Sequence, residues 1–166
     1  FNRAVDDYAA LVGLPAGMIE NVTDGTNAWL VGLDDAGHLL ATEEALVDVN
    51  RPHRVRDIFL VDRAITEGER AEIEGSPQAA RGVLLARAIH PSLNPRLATS
   101  LAAADLIIYA PGTQHSSLFP SYLTPGLSTA IAGNLSAIKL LITNIQSDAE
   151  ITGSNAVDII ERAVFY

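Results

Sequence analysis

The chain has 166 residues, 48% of them hydrophobic and 19% charged, enough to bury the core of one compact domain and too apolar to stay disordered. Its 11 basic residues, with Lys139 the only lysine, face 20 acidic ones, and a net charge of -9 repels the backbone a nucleic-acid binder must neutralise. The absence of cysteine excludes disulfides, zinc–cysteine centres and thiol nucleophiles, and no apolar run nears the ~20 residues of a membrane helix.

In chain order, Ala4 to Leu14 reads as a short helix stopped at Pro15. Residues 18 to 62 read as β-rich: MIENV, TNAWLVGL, a turn at Asp34-Asp35-Ala36-Gly37, HLLA and then RVRDIFLV with alternating apolar positions. Glu43-Glu44 reads as a solvated edge and Trp29 as packed in the β-layer. Ser76-Pro77 and Asn94-Pro95 each open a helix with a polar cap and proline, running to Ile89 and Ala104. Asp105 to Ala110 is a buried strand, Pro111 to His115 a loop, and Ser116 to Tyr122 the start of a helix. A helix over Pro125 to Ala132, a strand over Ala137 to Thr143 and a last helix over Ser154 to Ala163 follow, the last with Ala156, Ile160 and Ala163 on one face. This alternation favours parallel pairing with helical crossovers.

The segment Ala110-Pro-Gly-Thr-Gln-His-Ser-Ser-Leu118 carries the most chemistry, because open α/β sheets bind ligands where loops leave the carboxyl ends of parallel strands. Gly112 allows close backbone approach, and the hydroxyls of Thr113, Ser116 and Ser117 stand beside the free N–H groups of a helix start, a combination suited to phosphate. The same residues also make an ordinary polar turn capped by Ser116. His115 could donate to a phosphate, shuttle a proton or simply sit at the surface. Asp148 and Glu150, in the next loop, could hold a sugar hydroxyl or Mg²⁺, or form a solvated acidic loop. Neither glycine-rich nucleotide motif occurs, which excludes a Walker ATPase; no nucleophile elbow or zinc spacing of the four histidines is present.

These residues resemble the CofD-like superfamily, which contains the 2-phospho-L-lactate transferases and the bacterial gluconeogenesis-factor proteins. The gluconeogenesis-factor branch is the closer. Ala104-Asp105-Leu-Ile-Ile108 is similar to its strand, Pro111-Gly112-Thr113 to its turn, and Ser116-Ser117-Leu118, Pro120, Pro125-Gly126-Leu127 and Ala130-Ile131 to the helices after it. Asn144 ends the next strand, and with one deletion Glu150, Gly153, Ala156 and Asp158 fall on family positions. More loosely, Thr26 to Glu44 resembles the family's hairpin. Departures are Ala110 for a glycine, Ser121 for an asparagine and Gln146 to Ala149 in the acidic loop. The family's opening glycine-rich phosphate loop and Asp-Asp-Gly segment have no counterpart, and the chain, which opens on Phe1, reads as an N-terminally truncated piece of a longer protein.

The resemblance implies an α/β fold, a three-layer α/β/α Rossmann-like parallel sheet with a β-rich hairpin insertion in the first half. Residues 1–166 would form one domain, with 1–75 the β-rich part and 76–166 the ligand-binding part. It implies a cytoplasmic bacterial protein that binds a nucleotide sugar or nucleotide diphosphate through Gly112, Thr113, His115, Ser116, Ser117, Asn144 and Glu150, with Mg²⁺ as the expected cofactor. The alternatives are a transferase moving a phosphorylated hydroxy acid from a nucleotide donor to an alcohol, and a structural piece without activity. No nucleic-acid or membrane partner is expected, and a homo-oligomer is left open.

Overall fold

Antiparallel and parallel β-structure occur in separate parts of the computed structural model, which describes residues 2–74, 76–146, 148–151 and 153–166. Phe1 and Ser147, both noted in the sequence, lie outside the described residues. The elements are α1 (Asn2–Leu11), β1 (Trp29–Asp34), β2 (Leu39–Leu40), α2 (Glu43–Leu46), β3 (Val55–Val61), α3 (Glu67–Glu74) and α4 (Pro77–Arg87), followed by α5 (Pro95–Ala103), β4 (Leu106–Tyr109), a π-helical turn (Gln114–Leu118), α6 (Phe119–Tyr122), α7 (Leu127–Gly133), β5 (Ile138–Leu141) and α8 (Ala156–Phe165). The fold class is therefore mixed α/β. Among the described residues no helix is long and apolar enough to cross a membrane.

The elements gather into two compact units, each assembled from three stretches of chain. One takes residues 2–26, 90–110 and 124–142 and holds α1, α5, α7 and the parallel pair β4–β5, in the register Leu106↔Ile138 to Tyr109↔Leu141. Its polar centre is Asn94, fully buried, which caps α5 through Arg96 N, donates to the Asn21 carbonyl at 2.9 Å and to Glu20 at 3.2 Å, and exchanges hydrogen bonds with Asn2. Arg96 adds a bidentate pair with Asp6 at 2.7 and 2.8 Å and a contact with Glu20 at 2.7 Å. The network explains why residues 18–22, expected as a β-run, form no strand: Glu20 and Asn21 are drawn onto Asn94 and Arg96, and the nearest β-structure is the single bridge Thr23↔Leu93. Asn134 ends α7 and donates to the carbonyls of Leu101 and Ala104, tying α7 to the end of α5.

The other unit takes residues 27–89, 111–123 and 143–166 and is built on an antiparallel sheet in the order β2-β1-β3. The β1–β2 hairpin turns at residues 34–37, with Gly37 at φ 88 and its N–H on the Asp34 carbonyl. Both faces of the sheet are covered, so its strands read as nearly continuous apolar runs. On one face Val31, Leu33, Leu39, Phe59 and Val61 pack with Ile73 of α3 and with Ala80 and Leu84 of α4. On the other, Leu40, Val55 and Ile58 pack with Leu46 of α2 and Phe119 of α6, joined by Ala163 and Tyr166.

Glu43-Glu44 is solvated as expected and lies in the first turn of α2, capped by Thr42 Oγ1, with Leu46 one turn on fully buried. Two other expectations need correction. Trp29, at the edge of β1, is 45% exposed, and Ile160 is exposed too: α8 turns its Ala163 side to the sheet instead. Helix α3 had no signal beyond Ile73, since Arg63, Thr66 and Glu69 start it through a hydrogen-bonded cluster that holds the Glu69 carboxyl down at about 2.

The tightest approach in the sheet is at Gly32, where a Cβ would stand 2.8 Å from Leu46 Cδ2 and 3.1 Å from the Asp57 carbonyl oxygen. Gly32→Ala is expected to cost about 1–3 kcal/mol of stability in urea denaturation. Gly133→Ala, where a Cβ meets nothing within 4 Å, is the control and is expected to leave stability unchanged or slightly raised.

Candidate functional site

The chain leaves β4 at Tyr109 and β5 at Leu141, the carboxyl ends of two strands paired in parallel, and each exit leads into a loop of the second unit. Those two loops, 111–113 running into the π-helical turn and 143–155 running into α8, carry every residue the sequence nominates. A side chain from the second loop fixes the first. Asn144 Oδ1 accepts from Gly112 N at 2.8 Å while its Nδ2 donates to Gly112 O at 3.1 Å and to Asp148 Oδ2 at 2.8 Å. This pairing treats the Gly112 peptide groups as a strand would, and it needs the backbone close: a Cβ on Gly112 would press on Leu118 at 3.3 Å.

Asp148 Oδ1 accepts from the N–H groups of Glu150 at 2.9 Å and Ile151 at 3.2 Å, a local turn that aims the Glu150 side chain inward. The Glu150 carboxylate is buried. Its Oε2 accepts from His115 N at 2.5 Å, and both oxygens accept from Ser116 N at 3.2 Å. Thr113, at the head of the π-helical turn, makes no side-chain cap, so Glu150 supplies from another loop the acceptor that local sequence does not. Burial by itself raises the Glu150 pKa, but the His115 side chain and the N–H groups of Ser116 and His115 outweigh it and hold the carboxyl below its ordinary value.

The turn presents different chemistry on its successive residues. Thr113 Oγ1 lies 2.7 Å from Ser117 Oγ and accepts from Ser116 Oγ at 3.0 Å, a cluster of three hydroxyls with Ser117 exposed. Gln114 and His115 are buried. Gln114 Nε2 donates to the Ile159 carbonyl of α8 at 3.2 Å. The His115 ring stands edge-on to Phe119 at 5.1 Å and to Tyr166 at 6.4 Å, with Nδ1 3.7 Å from Glu150 Oε2 and, among the described residues, no hydrogen bond on either nitrogen.

All seven nominated residues thus fall in one unit, with Asn144 bonded to Gly112, Glu150 to His115 and Ser116, and Thr113 to Ser116 and Ser117. Sequence reasoning missed Gln114, Arg162 and Tyr166. Tyr166 stacks on Phe119 at 4.6 Å and takes the Ile58 N–H on its hydroxyl at 3.2 Å, a packing role no motif announces. Its phenol is pushed up by burial. Among the described residues no three of His, Cys, Asp or Glu converge as a metal cluster, and the Glu150 and Asp148 carboxylates accept from N–H groups.

The same fold occurs in two crystal structures of a UPF0052 family protein from Bacillus halodurans, with TM-scores of 0.63 and 0.70. Each is 18% identical over 99% of this chain, and this chain spans 43% of theirs. UPF0052 proteins are the CofD-like family, so at this identity the resemblance read from the sequence stands at the level of fold. No protein-family model and no curated protein matches the sequence.

Glu150→Gln replaces one acceptor oxygen with an amide that faces N–H donors, and it is expected to cost about 2–4 kcal/mol in denaturant unfolding. Because the folded carboxyl titrates below its unfolded value of 4.5, its stabilisation is full above that pH and is lost as the pH falls through the folded value. Acid unfolding curves are therefore expected to be flatter in the variant than in the wild type over that window.

Proposed function

We propose that this chain is a nucleotide-binding domain of the gluconeogenesis-factor type, taking a nucleotide diphosphate or nucleotide sugar at the 112–117 loop, with β4 and β5 forming part of a larger Rossmann-like sheet. The observation that carries the reading is the cluster of Thr113, Ser116 and Ser117 hydroxyls, held on a loop anchored at Gly112 by Asn144 and at His115 and Ser116 by Glu150. Hydroxyls that bond one another can turn outward and donate to phosphate oxygens at little cost, since each trades one hydrogen bond for a charge-assisted one.

Glu150 changes how such a ligand would be held. Its carboxylate already occupies the N–H groups of His115 and Ser116, so the phosphate is held by side-chain hydroxyls and not by the backbone of a helix start. Asn144 and Glu150 are accordingly positioning residues for the loop. The UPF0052 likeness supports the fold of this reading, and the ligand is the proposal.

Isothermal titration of the intact protein with UDP-sugars and with GDP tests it. UDP-sugar binding that weakens tenfold or more in Ser116→Ala/Ser117→Ala, with the melting temperature unchanged, is the expected result. Binding of GDP alone would move the reading to the transferase alternative. Undiminished binding in the variant, or none to either nucleotide, would overturn it.

A further inference from the structure

On the Gln114 and His115 side of the turn lies a cleft of about 380 Å³, bounded by Arg54 before β3, the turn itself, Glu150, and Arg162 and Phe165 of α8. Its polar groups are out of balance. Arg162 rests over the rings of Phe165 and Tyr166, 5.3 Å from each, and among the described residues makes no hydrogen bond or ion pair, although its Nη2 is buried. Arg54 donates to the Gly153 carbonyl at 2.5 Å and among the described residues forms no ion pair with a carboxylate. His115, 3% exposed, makes no hydrogen bond from either ring nitrogen among the described residues, its Nδ1 standing 3.7 Å from Glu150 Oε2.

A guanidinium is always charged, and a buried donor without an acceptor costs more than a hydrogen bond normally gains. Three carboxylates, Glu150, Asp158 and Glu161, also line the cleft, and among the described residues none of them forms an ion pair with Arg54 or Arg162. The carboxylates that line the cleft are engaged elsewhere: Glu150 on the N–H groups of His115 and Ser116, and Asp158 on Asn155 N at 2.9 Å in the cap of α8. Glu150 and Asp158 keep their charge and oppose an incoming anion, less so for the N–H groups seated on them, and exposed Glu161 opposes it directly.

We infer that this cleft binds an oxyanion, the phosphate or carboxylate group of a small molecule, through Arg54, Arg162 and His115. Arg162 then gains the acceptor it lacks, and Arg54 a charged one beside the Gly153 carbonyl. With Nδ1 3.7 Å from Glu150, His115 keeps Nε2 for the ligand. The volume lies near the small end of ligand cavities, about 300–1,000 Å³, and has room for a small acid. None of the Thr113, Ser116 or Ser117 hydroxyls lines it, so this site and the nucleotide site proposed above can fail separately.

Titration of the intact protein with inorganic phosphate and with succinate, at fixed ionic strength in chloride, is the test. Saturable binding of at least one is expected, weakened tenfold or more by Arg162→Gln and by Arg54→Gln, tightened by Glu161→Gln and unaffected by Ser116→Ala/Ser117→Ala. Arg54 is exposed, so its variant keeps the test decisive if Arg162→Gln fails to fold. Failure of both anions to saturate, binding that survives the arginine changes, or binding lost only in the serine variant would overturn the site.

Discussion

The candidate site is organised by one buried carboxylate. Glu150, reached from the loop after β5, closes on the N–H groups of His115 and Ser116 in the loop after β4, across 34 and 35 residues of sequence. A carboxylate removed from water is costly unless several donors meet it, and here the donors are backbone groups that would otherwise be orphaned at the head of a short helical turn. Each side solves the other's problem. Asn144 repeats the device at Gly112 with a neutral side chain, and Asp148 couples the two by bonding Asn144 and the backbone at Glu150 and Ile151.

Fixing the turn this way sorts its side chains. Hydroxyls of Thr113, Ser116 and Ser117 gather as one mutually bonded cluster, while Gln114 and His115 go into the protein against α8, Phe119 and Tyr166. The hydroxyl cluster is where we propose a phosphate, and the cleft beyond His115, whose two arginines form no ion pair among the described residues, is where we propose a separate small anion. A helix start loses most of its attraction for a ligand anion once a protein carboxylate is seated there, so in both proposals side chains would carry the recognition.

Much of this was legible in the sequence. Proline after a polar cap marked α4 and α5, the Asp34 to Gly37 turn marked the hairpin, and the spacing of glycine, hydroxyls and histidine marked the loop. The rest depended on partners distant in sequence. Residues 18–22 have strand-like composition, yet Asn94 and Arg96 claim Glu20 and Asn21 from more than seventy residues away. Glu150 read as either a ligand contact or a solvated acid because nothing local shows that its acceptors point at the backbone of residues 115 and 116. Arg162 and Tyr166 carry no motif, and their part emerges only when α8 lies against Phe119 and Phe165 shares the guanidinium.

The clamp itself can be watched by ¹H–¹⁵N NMR of the intact protein from about pH 3 to 7, following the amides of His115 and Ser116. If Glu150 holds them, both protons exchange slowly and shift together as one carboxyl titrates below the ordinary glutamate value. Fast exchange like that of an exposed loop, or a shift centred at the ordinary value, would contradict the account.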